Sequence, residues 1–579
     1  MGWIERPLQN AAIVATLSSE LNSLPMSLAR FLVLRGIDNY DSARNYFRST
    51  KDNLHDPKGL ADTELAGQRI ADAITSKERV LVYGDFDADG VTSTALILKF
   101  LQSHQLDTEF YIPHRQNENH GFHASAVETA QSHHCTLIIV VDCGTNDEET
   151  ADLIRDAGID LIICDHHQND DKQPVCHAHV NPNQSRCSYP VKDISACALA
   201  YKMIQVTLEK LGQPPELADQ YLDLVAISTI CDIMPLVGEN RILAQEGLKV
   251  LRSSTHPALK SLVAISKCNQ HRLSSSDIAM QLGPRLNAAG RLAHASEAVD
   301  LLMAQTKSEA EPLAKRLDLL NQSRKSHTAK LVPVASKLAR TQLAGRLINA
   351  LVLYHSDWHP GILGMAAARM VEEFQIPAVI LTDVPNSDGS EVFGSVRTSG
   401  DIHILNALNA CQDLLIRFGG HAKAAGLTLK KDDLPQLRDQ LDVEVQKQSH
   451  ARNVSTNLEY DAQVHLTDIS GKFERILDRC QPFGKANEAP LFLIENLYPL
   501  SVQLLTAGRH LRLTVQDPES STKMVAIGFG MGHHHRTAEE ARVKHTRIDI
   551  LCHVEENWWN GTVSTQLRFT ALRPHEHYE

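Results

Sequence analysis

Asp165-His166-His167 closes the apolar run Leu161-Ile162-Ile163-Cys164, and the same construction stands twice upstream. Val80-Leu81-Val82-Tyr83 leads into Gly84-Asp85-Phe86-Asp87-Ala88-Asp89-Gly90, and Leu137 to Val141 leads into Asp142-Cys143-Gly144. Three short β-rich runs therefore each end in carboxylates or imidazoles. In an open α/β sheet the carboxyl ends of the strands line one crevice, so these residues are expected to converge. Crowded carboxylates repel one another and drift toward protonation unless cations neutralise them. Oxygen donors with a minority of imidazole suit Mn²⁺ or Mg²⁺ better than a structural zinc. The donors outnumber what one ion needs, and two ions a few Å apart, clamping the attacking and leaving oxygens of a phosphoryl group, are the natural use of such a cluster.

Each piece also has a local reading. Asp85-x-Asp87-x-Asp89-Gly90 matches the first half of a calcium loop, but the twelfth position is Leu96 and a strand precedes it. Asp142 alone could cap a helix, and His166-His167 alone could be solvated polar residues. Their joint occurrence at three strand ends is what a metal site explains and these readings do not. Alternate side chains of Asp85, Asp87 and Asp89 face one way only if the segment stays extended. Gly90 implies a turn, which leaves open which of the three bind metal.

The order Asp-x-Asp-x-Asp-Gly, Asp142, Asp165-His166-His167, then Cys231-Asp232-Ile233-Met234-Pro235-Leu236 resembles the DHH phosphoesterases, most closely their exonucleases specific for single-stranded DNA. The resemblance continues through Tyr111 to Arg115, Asn181-Pro182-Asn183, Gly283 to Arg291, Phe418-Gly419-Gly420-His421-Ala422 and Pro482-Phe483-Gly484. It implies two Mn²⁺ or Mg²⁺ ions held by Asp85, Asp87, Asp142, His166 and Asp232, with Asp89 and His167 completing the catalytic set. It further implies that Arg115, Arg285, Asn287, Arg291, Ser395, Arg397, Gly419, Gly420 and His421 bind substrate. Read locally, Gly419-Gly420 is a tight turn and Arg285 to Arg291 a polar loop. The activity implied is 5′-to-3′ hydrolysis of single-stranded DNA to 5′-mononucleotides in repair and recombination. The partners implied are a single-strand-binding protein and a recombination helicase. Two other outcomes exist in that superfamily: short nanoRNases without a β module, and scaffold chains that have lost their ligands. All the ligands stand in this chain. It departs from the family at Ala196-Cys197-Ala198, at Gln116 to His120 and at Thr398.

The 579 residues, 43% hydrophobic and 22% charged, read as a soluble, globular, cytoplasmic and monomeric multidomain protein. No apolar run reaches membrane-spanning length, and the first residues lack a signal-peptide core. Eleven cysteines without a C-x-x-C pair suit reduced thiols. An excess of 70 acidic over 57 basic residues argues mildly against nucleic acid, although the distribution of charge matters more than its sum.

From about 78 to 240, strands alternate with helical stretches, which predicts a mostly parallel sheet. Leu217 to Thr229 is expected to be a helix delivering Asp232. Leu313 to Leu331 has helical spacing, with a start near Pro312 and a kink or break at Pro333. A second, smaller α/β lobe follows, with strands at Ala350–Tyr354 and Ala378–Thr382. The last stretch turns β-rich, with a hairpin turn at Asn560-Gly561. The expected organisation is a catalytic α/β domain over 1–270, a helical connector over 271–345, an α/β substrate lobe over 346–448 and an all-β, OB-like module over 449–579. Arg509, His510, Arg512, Trp558 and Trp559 are the expected strand-holding groups of that module, and His533-His534-His535 is expected in a loop.

Overall fold

The computed structural model describes residues 2–575 except 116–117, 119, 170–172, 346, 386, 449–456 and 560–561, and not the side chains of 558, 559 and 562. Contacts divide it into two compact units, one formed by 56–234 with 246–453, the other by 1–55, 235–245 and 454–579.

The larger unit opens with five parallel strands: β1 (Val80–Gly84), β2 (Thr108–Tyr111), β3 (Leu137–Val141), β4 (Asp160–Cys164) and β5 (Ala178–Val180), in the order β2-β1-β3-β4-β5. β1 and β3 are buried along their whole length, as strands covered by helices on both faces must be. Leu81, Tyr83, Ile138, Val140, Leu161 and Ile163 share one side's core. Helices α1 (Ala88–Ser103), α2 (Ala196–Lys210) and α3 (Leu222–Cys231) pack together and are apolar almost all round, which fits burial. The chain leaves β1 toward β2 on one side and returns to β3 on the other. The crevice between β1 and β3 is thus the switch point where open α/β sheets bind ligands.

Helix α4 (Gly283–Leu292) follows a five-residue π-helix, Ile278–Leu282. The connector is one unbroken helix, α5 (Lys307–Leu343). It starts five residues before Pro312, where Thr306 accepts from the Glu309 N–H and Glu309 from that of Thr306. Of the kink or break expected at Pro333, the break is absent: side chains on both flanks, Leu331 and Ala335, are buried, and that packing outweighs one lost hydrogen bond. The second lobe has the strands β6 (Leu351–Tyr354), β7 (Ala378–Asp383), β8 (Glu391–Arg397), β9 (Leu415–Gly420) and β10 (Ala424–Lys430) in the order β9-β10-β8-β7-β6. Helix α6 (Leu363–Phe374) lies against it.

The smaller unit corrects the expected extent of the catalytic domain, 1–270. Residues 1–55 belong with the C-terminal module and not with the parallel sheet. Trp3–Glu5 pairs in parallel with Leu458–Tyr460, and Leu17, Leu28, Phe31 and Leu32 share one core with Phe473, Phe492, Leu511 and Phe569. The module itself is β, as expected. Strands Phe492–Leu505, His510–Gln516, Lys523–Gly528, Thr562–Pro574 and Ile548–Trp559 neighbour one another in that order, and the last pairs back to the first, closing a five-stranded OB-like barrel. His533 and His534 lie in a 3₁₀ turn and His535 begins a helix, in place of the expected loop. The side chains of Trp558 and Trp559 lie outside the described residues. No helix among the described residues is long and apolar enough to cross a membrane.

Candidate metal centre

Each strand end aims its donors through a definite local device. After β1, Asp87 is the N-cap of α1, its Oδ1 accepting the N–H of Asp89 (2.9 Å) and of Gly90 (3.3 Å). Gly90 is required there, because a Cβ would lie 2.4 Å from the Asp85 carbonyl oxygen. Asp142, directly after β3, takes a left-handed backbone (φ 64), which Asp tolerates better than most residues. Asp165 follows β4, and its Oδ1 accepts the N–H of His166 (2.7 Å) and of His167 (3.2 Å) and lies 2.7 Å from His167 Nδ1. Its Oδ2 accepts the Thr145 N–H (3.0 Å). Asp232 is the C-cap of α3.

The expected ligands do converge. Donor atoms of Asp85, Asp87 and Asp142 lie within 4.8 Å of one another, and so do those of Asp89, His166 and Asp232. The two groups meet where His166 Nε2 stands 3.2 Å from Asp142 Oδ1, 3.6 Å from Asp232 Oδ2 and 3.8 Å from Asp89 Oδ2. Burial, and then the neighbouring carboxylates, hold Asp142 well above the usual carboxylate range; Asp87 is raised by the same causes. Burial lowers His166, which keeps its imidazole neutral and able to donate a lone pair. His167 behaves oppositely. Burial opposes its charge, but Asp165 overrides that and lifts it to about 9. Buried carboxylates that raise one another, beside a neutral imidazole, are the donor set that divalent cations relieve.

The three aspartates of the Asp-x-Asp-x-Asp run part company. Asp85 is buried beside His120, whose Nδ1 is 3.1 Å from its Oδ1. Asp87 keeps one oxygen beyond its capping bonds. Asp89 is chiefly an anchor: it accepts the first N–H groups of α2, from Ala196 (2.8 Å) and Cys197 (3.0 Å), and the hydroxyl of Ser228 (2.7 Å). That contact accounts for small residues at 196–198.

The expected substrate residues divide in two. Arg285 is buried and committed to Asp318 (2.9 Å) and the Gln281 carbonyl (2.7 Å), which ties α4 to α5 and removes it from the substrate set. Asn287 accepts the Ala88 N–H (2.8 Å) and so buttresses the Asp87 loop. Arg115, Arg291 and Arg397 do come together. Burial, then Arg115, Arg324 and Arg397, push Arg291 down to about 9, which marks guanidiniums gathered with too little opposing charge. Ser395 shares a sheet rung with Gly426, and Gly426 with Gly419, so two positions without side chains leave that face of the sheet open. Gly420 (φ 146) follows, and the His421 N–H closes a turn on the Ala424 carbonyl (2.8 Å). A Cβ at Gly364, in the first turn of α6, would stand 2.8 Å from Arg397 and 3.5 Å from Ser395 Oγ. A helix N-terminus beside guanidiniums and a hydroxyl is an anion site.

Several participants were not expected. Asn183 donates to the His166 carbonyl (2.6 Å) and Asn181 to that of His167 (2.9 Å), which gives the Asn181-Pro182-Asn183 motif a structural reason. His120 stands between Phe86 and His167, with ring centroids 6.1 and 5.1 Å away. Arg324, on α5, also acts on Arg291, and its distance in sequence from every motif hid it.

Comparison with known proteins agrees with this geometry. The chain matches the DHH family, N-terminal domain over residues 79–229, the DHHA1 domain over 347–447 and the RecJ OB domain over 460–571. It is 34% identical over 569 residues to the single-stranded-DNA-specific exonuclease RecJ of Bacillus subtilis, covering 98% of this chain and 70% of that protein. Its fold is similar to RecJ of Thermus thermophilus in complex with Mn²⁺, with a TM-score of 0.80 and 24% identity over 100% of this chain and 80% of that one. It is also similar to an exonuclease RecJ bound to manganese, with a TM-score of 0.59 and 28% identity over 68% of this chain and 97% of that one.

Proposed function

The chain belongs to the RecJ family, and on that premise we propose that it is a metal-dependent exonuclease that degrades single-stranded DNA from the 5′ end to 5′-mononucleotides. The observation that carries the reading is the meeting of two donor groups at Asp142 and His166, one for each of two cations. Asp85, Asp87 and Asp142 would hold one Mn²⁺ or Mg²⁺. Asp142, His166 and Asp232, with the outer lone pair of Asp89 Oδ2, would hold the other. Two such ions supply an activated water and neutralise the charge that builds on phosphorus.

The remaining work falls to the chain itself. Water adds to phosphorus as the bond to the 3′ oxygen breaks, and that oxygen must gain a proton. His167, charged at neutral pH beside Asp165, has the proton and the orientation to assist there. Arg115, Arg291, Arg324 and Arg397, with Ser395 and the first turn of α6, receive the phosphate of the strand's end. Gly419, Gly420 and His421 leave room for the backbone of the strand to pass. A duplex is too wide for a groove that threads one strand.

The closed barrel is the module that would hold the strand farther along, through Arg509, His510 and Arg512. A single-strand-binding protein and a recombination helicase, which expose unpaired strands, are the partners proposed for a monomer acting in repair and recombination. Eleven free cysteines, most of them buried, suit a reducing cytoplasm.

A 5′-labelled single strand incubated with Mn²⁺ should release labelled mononucleotide at the earliest times, and blunt duplex should resist. Cleavage that persists in EDTA, or that prefers dinucleotides to long strands, would count against this reading.

A further inference from the structure

The residue after Asp232 is held in a conformation that its own side chain disfavours. Helix α3 ends with the N–H of Ile233 on the Ile230 carbonyl (3.3 Å) and that of Met234 on the Thr229 carbonyl (3.0 Å). This closure puts Ile233 at φ 57, in the left-handed region. Glycine normally fills that position, because a Cβ there crowds the backbone, and a β-branched residue suits it worst. The fold gains little from the side chain in return, since Ile233 is 64% exposed. Strain of this kind persists where a function needs the group.

Its place suggests the function. Asp232 Oδ2 lies 3.6 Å from His166 Nε2, and consecutive Cα atoms are about 3.8 Å apart, so Ile233 stands on the rim of the metal centre. The π-helix Ile278–Leu282, a rare form that recurs at functional sites, packs on α3, and a Cβ on the next residue, Gly283, would lie 2.4 Å from Cys231 Sγ at this end. It carries a second exposed apolar side chain, Met280, at 66%. A nucleotide offers two kinds of surface. Its phosphate belongs to cations and guanidiniums. The C–H edge of its sugar and the face of its base are what an isoleucine can contact.

We infer that Ile233 is a substrate contact: its side chain packs against the sugar or base of the nucleotide whose phosphodiester is cut, and so seats the phosphorus between the two donor groups. The contact is one of dispersion and is indifferent to base identity. It rests on the single-strand exonuclease reading and names the part of the substrate that this rim touches.

The test compares Ile233→Gly and Ile233→Asn with wild type, using a short 5′-phosphorylated single strand. Both replacements accept a left-handed backbone, and both remove the apolar surface. KM should rise about fivefold to tenfold with little change in kcat, as loss of a few tens of Å² of apolar contact predicts. The Kd in EDTA, read by fluorescence anisotropy, should rise in parallel, while the thermal midpoint holds or increases. Ile233→Val, which keeps most of the apolar surface, should stay within about twofold. Unchanged KM and Kd in both variants would overturn the inference. So would a lowered midpoint, because Ile233 would then serve the fold. A wild-type protein that binds the strand without cutting it sinks the exonuclease reading, and the EDTA binding comparison still decides this one.

Discussion

Oδ1 of Asp165 lies 2.7 Å from Nδ1 of His167, and the same oxygen accepts the backbone N–H of His166 and His167. One carboxylate thus fixes two imidazoles with different tasks, one neutral and one charged. Asp165→Asn removes the charge and puts an NH₂ where acceptors are needed. His167 should fall from about 9 toward its ordinary value, and metal affinity should weaken by about 10- to 100-fold, as when a ligand's supporting partner is lost. Metal titration and the basic limb of the pH–rate profile report the two effects separately. An unaltered basic limb would show that His167 owes its charge to other groups.

Asp142→Asn is a cleaner probe than Asp142→Ala. Asn tolerates φ 64, whereas Ala adds backbone strain to the loss of a ligand. Cleavage should fall by several orders of magnitude in either variant while the strand is still bound. In EDTA the Asn variant should melt higher than wild type, because the cost of burying an ionisable carboxyl among other carboxylates is gone. Turnover near the wild-type rate would remove Asp142 from the metal centre.

Metal binding should release protons. Burial and neighbouring carboxylates shift Asp142, and in the same direction Asp87, toward the protonated form without metal, and a carboxyl must be ionised to serve as a ligand. Calorimetric heats of Mn²⁺ binding should therefore depend on the ionisation enthalpy of the buffer, and more strongly as pH falls. Identical heats in two such buffers would contradict carboxyls raised by burial and mutual repulsion.

His179, on β5, has 5% of its surface exposed and its Nε2 3.2 Å from Thr145 Oγ1. Burial drives it down from 6.5 to about 4, so the folded protein needs it neutral. The folded value lies below the unfolded one. Its contribution is therefore fully present above pH 6.5 and lost as pH falls from there toward 4, on the order of 3 kcal/mol in all. The unfolding midpoint of wild type should drop between about pH 7 and 5 more than that of His179→Gln. Equal slopes would show that other groups set the acid limit.

Deleting residues from 455 onward removes more than a binding module, because Leu17, Leu28 and Phe31 lose the core they share with the barrel. That truncation should expose apolar surface and aggregate. A fragment of 56–453 with 235–245 replaced by a short loop should stay soluble and keep metal binding. The two are compared by light scattering and circular dichroism. Equal solubility would mean that residues 1–55 fold alone.

The parallel sheet and the convergence of Asp85, Asp142 and His166 could be read from the sequence because strand-end chemistry is local and the sheet brings strand ends together, whereas Asp232, at a helix end, was placed by the family resemblance. The uses of Asp89, Arg285 and Asn287 could not. Each is polar and close to a motif, and what separates anchor from ligand is a partner far along the chain: Ala196, Asp318 and Ala88 respectively. The continuity of α5 through Pro333 and the home of residues 1–55 were hidden for the same reason, since packing partners decided both.

The pairing of Trp3–Glu5 with Leu458–Tyr460 joins segments about 455 residues apart. A ribosome makes the first partner long before the second. Until the strand Thr562–Pro574 has emerged, residues 1–55 have no complete core to enter, and Leu28 and Phe31 wait uncovered. The larger unit can mature first, as domains made early usually do. Residues 1–55 then settle only after a segment made long after them, so synthesis halted before Thr562–Pro574 emerges leaves Leu28 and Phe31 without their shared core.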